Sequence, residues 1–371
     1  MKMLHVFTVD TTPKAFMKEY FELFSKSGFN ISVLAGYQSD GWENISIPFV
    51  ENFYRAPFAR AVTILSFVKT IKFLYRFLKK HEFDIYVLHT PSSSFYMSLF
   101  RSLLKNKTVV FYCHGLVSYP KKTFKKKIIA LFERVIFSKS DYCIFVSPSL
   151  AEFAILNNYV DSSKVLSYTG SISGVSSNEY TNEVFMDNSV LRLGYFGRVT
   201  YSKGILDCFE VVSILNKKGV RSDLYIGGSI ENFDIQDQYI KNNKHIRYLG
   251  FFGKKEEFFK QIDILMVTSP REGFGMSALE ANSFSIPVIG YNIVGLRDAV
   301  DNGQTGFLVD EVGDVNALVS QIQKYLVDSD LYYSHSKKAK SRAFDIFPQH
   351  KILDEQLSIF NRLVELKNQN A

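Results

Sequence analysis

The sequence predicts an α/β protein with two doubly wound domains that face each other across a cleft. Short β-branched and aromatic runs alternate with segments of helical period, which is typical of parallel sheets covered by helices. The length of 371 residues allows two domains at about 150 residues each. A segment rich in Ser, Asn and Gly separates two sets of strands. We therefore expect a first domain over 1–172, a linker over 173–190 and a second domain over 191–349.

The predicted strands are apolar runs, six in each half. In the first half they cover 4–9, 31–36, 85–90, 109–115, 142–147 and 165–170. In the second half they cover 191–197, 223–228, 246–251, 264–269, 287–292 and 306–310. The last segment, 350–371, has the pattern of an amphipathic helix, and we expect it to pack back onto the first domain. In such sheets, ligands bind beyond the carboxyl ends of the strands.

Composition excludes several classes of protein. Apolar residues make up 46% and charged residues 22%, so a disordered or coiled-coil chain is excluded. Cys113, Cys143 and Cys208 are dispersed, which argues against a disulfide framework and a zinc site and for a reducing compartment. The start has no signal-peptide pattern, and no apolar run reaches the ~20 residues of a membrane helix. We expect a cytoplasmic protein that does not span a membrane.

Basic residues concentrate in the first domain. The chain carries 44 Lys and Arg against 37 Asp and Glu, a net charge of +7. Residues 1–172 hold 22 basic and 12 acidic side chains, a net of +10, whereas residues 173–371 hold 22 and 25, a net of −3. A polyanion is therefore expected to meet the first domain: nucleic acid, an anionic membrane surface or a phosphorylated substrate.

Two basic clusters favour the membrane. In a helical segment around 64–80, cations recur at spacings of three and four residues opposite an apolar stripe, although a solvated helix face explains this segment better when it is taken alone. The sequence KKTFKKK at 121–127 adds five lysines, and each cation near an anionic leaflet contributes about 1 kcal/mol. The cations expected at the membrane are Lys69, Lys72, Arg76, Lys79, Lys121, Lys122, Lys125, Lys126 and Lys127. The aromatic residues expected there are Phe67, Phe73, Phe77 and Phe124.

The motif SPREGFGMSALEA at 269–281 predicts an anion-binding turn. It follows an apolar strand, and its two glycines let the backbone approach a ligand where the next helix begins. Glu272 lies in the turn and Glu280 on the helix, so both can border one elongated ligand. Taken alone, Glu272 is equally explained by the helix dipole and Glu280 by a solvated helix face.

The motif LGYFGRVTYSKGI at 193–205 predicts a second anion-binding turn between a strand and a helix. Gly197 and Arg198 follow a strand, and Lys203 and Gly204 precede a helix. Two cations beside a helix N-terminus suit a diphosphate without a metal ion. The sequence Asp328-Ser329-Asp330 spells a DxD pattern but lies at the end of a helical segment, so a metal site is not expected there.

These motifs resemble those of GT-B glycosyltransferases of family 4, which have two Rossmann-like domains, and the resemblance covers nearly the whole chain. It rests on the E-x7-E spacing of Glu272 and Glu280, on FGR…KG, and on LHT, HG and VSPSL in the first domain. The branch it resembles builds capsule, O-antigen and other polyprenyl-linked glycans. The resemblance implies a retaining enzyme that needs no metal or other cofactor and uses a nucleotide sugar, here expected to be UDP-linked.

The resemblance also implies roles for individual residues. Arg198 and Lys203 would hold the donor diphosphate, Glu280 the ribose hydroxyls, and Glu272 the hydroxyls of the donor sugar. His114 would reach that sugar from the opposing domain. The implied catalytic residues are His114, Glu272, Lys203 and Arg198. The implied donor-binding residues are Gly197, Arg198, Lys203, Gly250, Phe251, Glu272, Gly273, Phe274, Gly275, Met276 and Glu280.

The acceptor side departs from the family pattern. Many relatives have a Gly-Gly loop after the first strand, whereas this chain has Asp10 to Lys14, whose hydroxyls and ammonium can contact an anion. The residues expected at the acceptor or the cleft are Thr11, Thr12, Lys14, His89 and Gly115, although His89 is equally explained as a buried, hydrogen-bonded residue. The expected partners are a nucleotide sugar, a polyprenyl-diphosphate-linked saccharide and the inner face of the cytoplasmic membrane, without nucleic acid.

Two other functions remain open. The same fold supports a nucleotide-sugar hydrolase or epimerase, which would act without the lipid acceptor. The basic first domain is also compatible with a nucleic-acid-binding protein whose aromatic residues stack on bases. Such a protein would leave the two donor-type motifs unexplained.

Overall fold

The computed structural model describes residues 1–36, 47–58, 63–120, 123–176, 190–252 and 254–369. The chain forms two compact units. The first comprises Met1–Ser173 and His350–Ala371, and the second Gly174–Gln349. Each unit contains a parallel sheet covered by helices, which confirms the predicted α/β class.

Both sheets are parallel throughout their described pairings. The first has the order β3-β2-β1-β4-β5-β6-β7 and the second the order β10-β9-β8-β11-β12-β13. The first sheet consists of β1 (Lys2–Phe7), β2 (Asn30–Ala35), β3 (Asn52–Arg55), β4 (Ile85–Leu88), β5 (Thr108–Cys113), β6 (Tyr142–Phe145) and β7 (Val165–Leu166). The second consists of β8 (Leu191–Phe196), β9 (Ser222–Gly227), β10 (Ile246–Gly250), β11 (Ile264–Val267), β12 (Val288–Tyr291) and β13 (Gly306–Val309). The central strands are buried on both faces, as parallel strands between helix layers are.

Helices follow most of the strands. Those of the first unit are α1 (Thr11–Phe16), α2 (Lys18–Lys26), α3 (Ile64–Lys80), α4 (Pro91–Ser98), α5 (Phe124–Lys139) and α6 (Pro148–Leu156). Those that follow along the chain are α7 (Ile205–Lys217), α8 (Phe233–Ile235), α9 (Lys255–Phe259), α10 (Met276–Ser283), α11 (Leu296–Ala299), α12 (Val315–Val327), α13 (Ser329–Ile346) and α14 (Gln349–Gln369). Short helical turns of other types cover Arg101–Leu104, Ser162–Lys164, Tyr201–Lys203 and Gln236–Ile240.

The helix α14 packs on the first unit. Phe360 is fully buried and meets Tyr20 edge-on, with ring centroids 6.5 Å apart. The carboxylate of Glu355 accepts bonds of 2.8 Å from both the backbone N–H and the hydroxyl of Thr169. Apolar burial therefore holds this helix, and a charge-assisted pair of hydrogen bonds fixes its position along its axis.

The expected linker begins as ordered structure of the second unit. Val175 pairs with Pro348 in a parallel bridge, and its N–H donates to the carbonyl of Phe347 over 2.9 Å. Gly174 has φ +64°, and a Cβ there would lie 2.5 Å from the Phe347 carbonyl oxygen, so the chain needs glycine at this position. The rest of the expected linker, 177–189, lies outside the described residues.

Three local expectations are wrong. The edge strand β3 was not predicted, because its sequence Asn-Phe-Tyr-Arg is half exposed and has no apolar run. The segment from Asp10 to Lys14 is not a loop, since α1 begins at Thr11 with Pro13 in its first turn, where proline is tolerated. Several strands end about two residues earlier than expected. In β11, for example, Thr268 leaves the ladder and its hydroxyl bonds to a neighbouring loop instead.

Candidate active site

The two predicted motifs lie at the carboxyl edge of the second sheet, after adjacent strands. The loop containing Arg198 follows β8 and the loop containing Glu272 follows β11, and these strands pair with each other. Because both strands are parallel, their carboxyl ends meet at the same edge. Residues about 70 positions apart in sequence are therefore brought into contact.

A close approach at Gly204 joins the two loops. Gly204 has φ +71° and caps α7, and the hydroxyl of Thr268 donates to its carbonyl oxygen over 2.7 Å. A Cβ at Gly204 would lie 2.0 Å from the Thr268 carbonyl oxygen. No other residue type fits without moving the backbone, so the spacing between the loops depends on this glycine.

Lys203 and Glu272 form an ion pair between the loops. The Lys203 Nζ lies 2.7 Å from the Glu272 Oε1, and the two side chains are 28% and 18% exposed. The residue predicted to bind the diphosphate, Lys203, is thus in direct contact with the residue predicted to bind the sugar, Glu272. An ammonium has three N–H donors, so Lys203 can hold Glu272 and still donate to an anion.

Arg198 pairs with a residue that the sequence analysis missed. Its Nη1 lies 3.1 Å from both carboxylate oxygens of Glu231, and both side chains are largely exposed. Glu231 follows β9, the neighbour of β8, and its position three residues after the predicted strand 223–228 was the available signal. A diphosphate at Arg198 would compete with this carboxylate.

Two glycines with positive φ shape the turn before α10. Gly275 has φ +94° and is the N-cap residue of α10, as the predicted anion-binding turn requires. Gly295, which was not predicted, has φ +92°, and a Cβ there would lie 2.6 Å from the carbonyl oxygen of Gly273. The side chain of Phe274 is buried against Phe347, with ring centroids 5.2 Å apart. The turn is therefore anchored by the buried ring of Phe274 and packs closely against Gly295. Met276 is the first residue of α10.

Glu280 lies on α10 and forms an ion pair with Lys255, at the start of α9. Only 16% of the Glu280 side chain is exposed. Burial raises the pKa of this carboxyl above its usual value, although the Lys255 ammonium opposes the shift. Lys255 was not predicted, because nothing in the local sequence links it to a residue 25 positions away.

Gly250 is the last residue of β10, at the same edge of the sheet, and Phe251 comes directly after it. Gly250 has φ +77°, and its carbonyl accepts from the Gly228 N–H over 2.8 Å. Phe251 follows with 84% of its surface exposed, an unusual position for a phenyl ring. The ring is free to stack on a planar group. Gly197, at the end of β8, has open space around the position of a Cβ.

In the first unit, three histidine rings form a hydrogen-bonded chain. The Nε2 of His114 lies 2.9 Å from the Nδ1 of His89, whose Nε2 lies 2.8 Å from the Nδ1 of His5. His114 is partly exposed, at the end of β5, whereas His89 and His5 are buried. Of the two explanations left open for His89, the structure therefore supports the buried, hydrogen-bonded one: the side chain is 1% exposed and bonds to both His114 and His5. His5 was missed because a single histidine in an apolar strand is typical of a core residue.

The loop that begins with His114 and Gly115 is fixed by a buried carboxylate. Glu133 of α5 accepts from the Val117 N–H at 2.6 Å and from the hydroxyl of Ser118. A carboxylate bonded in this way is satisfied even though it is buried. The position of His114 is thus set on both sides, by the histidine chain and by this loop.

The other acceptor candidates occupy α1. Thr11 is exposed, and Thr12 and Lys14 are partly exposed. Asp10, just before the helix, is 4% exposed, and its Oδ1 has no hydrogen-bond partner within the described residues. A buried carboxylate oxygen at the carboxyl edge of β1 was not predicted.

The basic helices expose apolar side chains as well as cations. On α3 the four predicted cations are exposed, and Ile64 and Leu65 at its start are 87% and 80% exposed. On α5, Phe124 is 78% exposed, whereas Phe77, expected at the bilayer, is buried in the core. Of the cations predicted at the membrane, those exposed on these helices are Lys69, Lys72, Arg76, Lys79, Lys125 and Lys127. Lys126 is only partly exposed and donates to the carbonyl of Val117, and Lys121 and Lys122 lie outside the described residues.

Within the part of the chain that the structure describes, there is neither a cluster of metal-ligating side chains nor a membrane-spanning helix. No group of three or more His, Cys, Asp or Glu side chains is arranged to hold a metal ion. Asp328 of the DxD pattern accepts from the Leu331 N–H over 2.9 Å and so caps α13. Among the described helices, none combines the length and apolar character needed to cross a bilayer.

Comparison with known families agrees with the two-unit division of motifs. Residues 16–165 match the family model described as Glycosyltransferase Family 4, and residues 179–342 match the one described as glycosyl transferases group 1. The chain is therefore a glycosyltransferase of the GT-B fold, with a family 4 domain followed by a group 1 domain.

Individual relatives extend over the whole chain. A capsular polysaccharide biosynthesis glycosyltransferase, CapM of Staphylococcus aureus, is 25% identical over 383 aligned positions that cover 98% of each chain. Sucrose-phosphate synthase from Thermosynechococcus elongatus superimposes with a TM-score of 0.80 at 17% identity, covering 99% of this chain and 100% of that one. The Anabaena protein HepE, solved in complex with UDP and glucose, gives 0.75 at 17% identity, covering 98% and 100%. The two solved structures confirm the fold.

Proposed function

We propose that this glycosyltransferase moves a hexose or N-acetylhexosamine from a UDP-linked sugar to a polyprenyl-diphosphate-linked saccharide during synthesis of a bacterial surface polysaccharide. The observation that carries the proposal is the contact between Lys203 and Glu272 at the joined loops of the second unit. Similarity to CapM, named for capsular polysaccharide biosynthesis, supports the product class. The HepE complex, which contains UDP, supports the donor class.

Charge development in the reaction explains the two cations. As the bond between the anomeric carbon and the phosphate oxygen breaks, negative charge grows on the diphosphate and positive charge on the sugar. Lys203 and Arg198, held in advance beside the N-termini of α7 and α10, stabilise the charge where it develops. The ion pairs with Glu272 and Glu231 orient both cations before the donor binds.

The remaining donor-binding residues contact different parts of the nucleotide sugar. Glu272 and the backbone of Phe274, Gly275 and Met276 take the hydroxyls of the sugar. Glu280 takes the ribose hydroxyls. The Glu280 carboxylate accepts hydrogen bonds from two neighbouring hydroxyls, and its ion pair with Lys255 favours the charged form that burial disfavours. The nucleobase lies at Gly250 and Phe251, where the exposed ring offers a stacking surface.

The proposed reaction retains the anomeric configuration without a covalent enzyme intermediate. The acceptor hydroxyl oxygen forms its bond to the anomeric carbon on the face from which the diphosphate leaves, and its proton passes to the leaving phosphate oxygen. Glu272, bonded to Lys203, is assigned to sugar hydroxyls rather than to attack on the anomeric carbon. His114 of the first unit is assigned to a hydroxyl of the donor sugar.

Nucleotide release with and without acceptor tests the proposal. Purified protein is incubated with UDP-hexoses, with or without a polyprenyl-diphosphate-linked saccharide, and both UDP and the glycosylated lipid are measured. We expect release that depends on the acceptor and a product with an α anomeric proton signal. Release that ignores the acceptor would favour a hydrolase, and interconversion of the sugar an epimerase.

The donor base is tested by thermal shift. A ligand at 100 times its Kd stabilises the protein that binds it by about 2.7 kcal/mol, and a poorer ligand stabilises it less. We expect UDP to raise the melting temperature more than GDP at equal concentration. A larger shift with GDP would contradict the choice of a UDP-linked donor.

We also propose that the first unit binds the anionic inner face of the cytoplasmic membrane. The support is the combination of exposed cations on α3 and α5 with exposed Ile64, Leu65 and Phe124, since an interfacial helix needs both charge attraction and apolar insertion. The residues 350–371 add three basic and three acidic side chains, so the first unit keeps its net charge of +10.

Vesicle flotation tests this membrane contact with matched variants. Neutralising three exposed cations of α3 should weaken binding to anionic vesicles on the order of 100-fold, at about 1 kcal/mol per cation. The three cations are Lys69, Lys72 and Arg76. A control removes two lysines and one arginine of the second unit, all exposed: Lys217, Lys218 and Arg221. Equal recovery with neutral and anionic vesicles would refute the contact, and tight binding to oligonucleotides instead would favour the nucleic-acid alternative.

A further inference from the structure

The histidine chain of the first unit begins in its core and ends at His114, at the carboxyl edge of its own sheet. His5 lies in β1, His89 directly after β4 and His114 directly after β5, and these three strands are neighbours in the sheet. The rings are nearly parallel, with interplanar angles of 22° and 27° between successive members. At the buried end, the Nε2 of His5 lies 3.0 Å from the thioether sulfur of Met3.

All three rings are neutral at pH 7. Burial lowers the pKa of His5 to about 3 and that of His114 to about 4, and it lowers the pKa of His89 well below its usual value, with His5 and His114 adding to the shift. A neutral imidazole carries one N–H, so its other nitrogen is an acceptor. His89 is bonded through both nitrogens and therefore donates one bond and accepts the other. The two bonds must run in the same direction along the chain.

The sulfur of Met3 determines the direction in which the hydrogen bonds run along the three histidines. A thioether has no hydrogen and can only accept, so the Nε2 of His5 is the donor to it. The Nδ1 of His5 then accepts from the Nε2–H of His89, and the Nδ1 of His89 accepts from the Nε2–H of His114. The opposite direction would place the lone pair of His5 against the lone pairs of the sulfur.

We propose that Met3, His5 and His89 are positioning residues that hold His114 in its Nε2–H tautomer, so that its Nδ1 is a hydrogen-bond acceptor. The outward nitrogen then takes a hydrogen bond from a hydroxyl and repels a carboxylate or phosphate oxygen. The ligand group at His114 is therefore a hydrogen-bond donor. The proposed function, on which this last step rests, makes that donor a hydroxyl of the donor sugar.

The tautomer is measured directly by nitrogen NMR. Protein labelled with ¹⁵N-histidine contains seven histidines, and the His114 signals are assigned by their loss in His114→Gln. The nitrogen that carries hydrogen and the one with a lone pair differ strongly in chemical shift. At pH 7 we expect Nε2 of His114 to carry the hydrogen and Nδ1 to have the shift of a lone-pair nitrogen.

The variant Met3→Leu removes the acceptor and conserves volume, so the core is expected to tolerate it. We expect His114 in this variant to populate both tautomers, and the KM for the nucleotide sugar to rise roughly three- to tenfold, the scale of one hydrogen bond. The control is Met97→Leu, a second buried methionine of the first unit, which should leave the tautomer and KM unchanged.

Three outcomes would refute the proposal that Met3, His5 and His89 set the tautomer of His114. They are an Nδ1–H tautomer of His114 in the unaltered protein, a protonated His114 ring at pH 7, and an unchanged His114 tautomer in Met3→Leu. The NMR measurement needs no substrate, so it tests the tautomer independently of the proposed function. A protein with the expected tautomer but no sugar transfer would refute the transferase proposal, whereas the proposal about the His114 tautomer would still hold.

Discussion

Replacement of Lys203 by alanine tests the donor site most directly. The substitution removes the ammonium that bonds to Glu272 at 2.7 Å and leaves the loop backbone and Gly204 in place. It also leaves the Glu272 carboxylate, 18% exposed, without this partner. Both the predicted diphosphate contact and the predicted orientation of Glu272 are lost in one step.

The expected effect on catalysis is much larger than the effect on stability. Loss of one preorganised donor to developing charge costs about 2.7 to 4 kcal/mol of transition-state stabilisation, so kcat should fall roughly 10²- to 10³-fold. An ion pair near the surface contributes about 1 kcal/mol or less to folding. That corresponds to a fall of about 2 to 4 °C in the melting temperature of a domain of this size.

Steady-state kinetics with the nucleotide sugar and lipid acceptor, together with thermal unfolding, measure the two effects. The matched control is Lys241→Ala, which removes an ion pair of similar length to Asp237, 2.6 Å, from an exposed position of the same unit. We expect kcat of this control to remain within about twofold, because exposed pairs contribute little.

A Lys203→Ala protein with unchanged kcat would refute the assignment of Lys203 to the diphosphate. An equal loss of kcat in Lys241→Ala would show that the assay reports general destabilisation. A rise in KM with constant kcat would mean that Lys203 binds ground state and transition state equally.

Two further predictions concern packing. Gly204→Ala places a Cβ 2.0 Å from the Thr268 carbonyl oxygen. The control is Gly219→Ala, at a position with a similar φ and open space. In chemical unfolding, Gly204→Ala should destabilise the second unit by about 2 to 4 kcal/mol more than the control does. Phe360→Ala should lower the free energy of unfolding of the first unit by about 3 to 5 kcal/mol, whereas Leu366→Ala on the same helix should cost about 0.5 kcal/mol. Equal effects within either pair would contradict the packing described.

The sequence predicted those parts of the molecule that depend on local pattern. Apolar runs located all strands except β3, because a parallel sheet buried on both faces requires continuous apolar segments. The positions of Lys203 and Glu272 after two such runs were enough to expect them at one ligand. Their contact follows from the adjacency of β8 and β11 in the sheet.

The sequence could not predict the partners of the site residues. Glu231 and Lys255 lie 33 and 25 positions from the residues they pair with, and each reads locally as a solvated charge. His89 was equally well explained as a cleft residue or a buried one, since the choice depends on which face of the sheet His5 occupies. The outcome was decided by the register between β1 and β4, which no local pattern encodes.

The partners missed from the sequence change the electrostatic account of the donor site. Arg198, Lys203 and Lys255 each lie against one carboxylate, so these three pairs sum to zero charge. Attraction of a diphosphate therefore depends on the N–H groups at the starts of α7 and α10 and on the spare donors of the cations, rather than on a net positive field. The net positive charge resides in the first unit, on helices that also expose apolar side chains. Under the functions proposed above, the two polyanions would thus be recognised by different interactions: the nucleotide by directed hydrogen-bond donors, and the membrane surface by charge density.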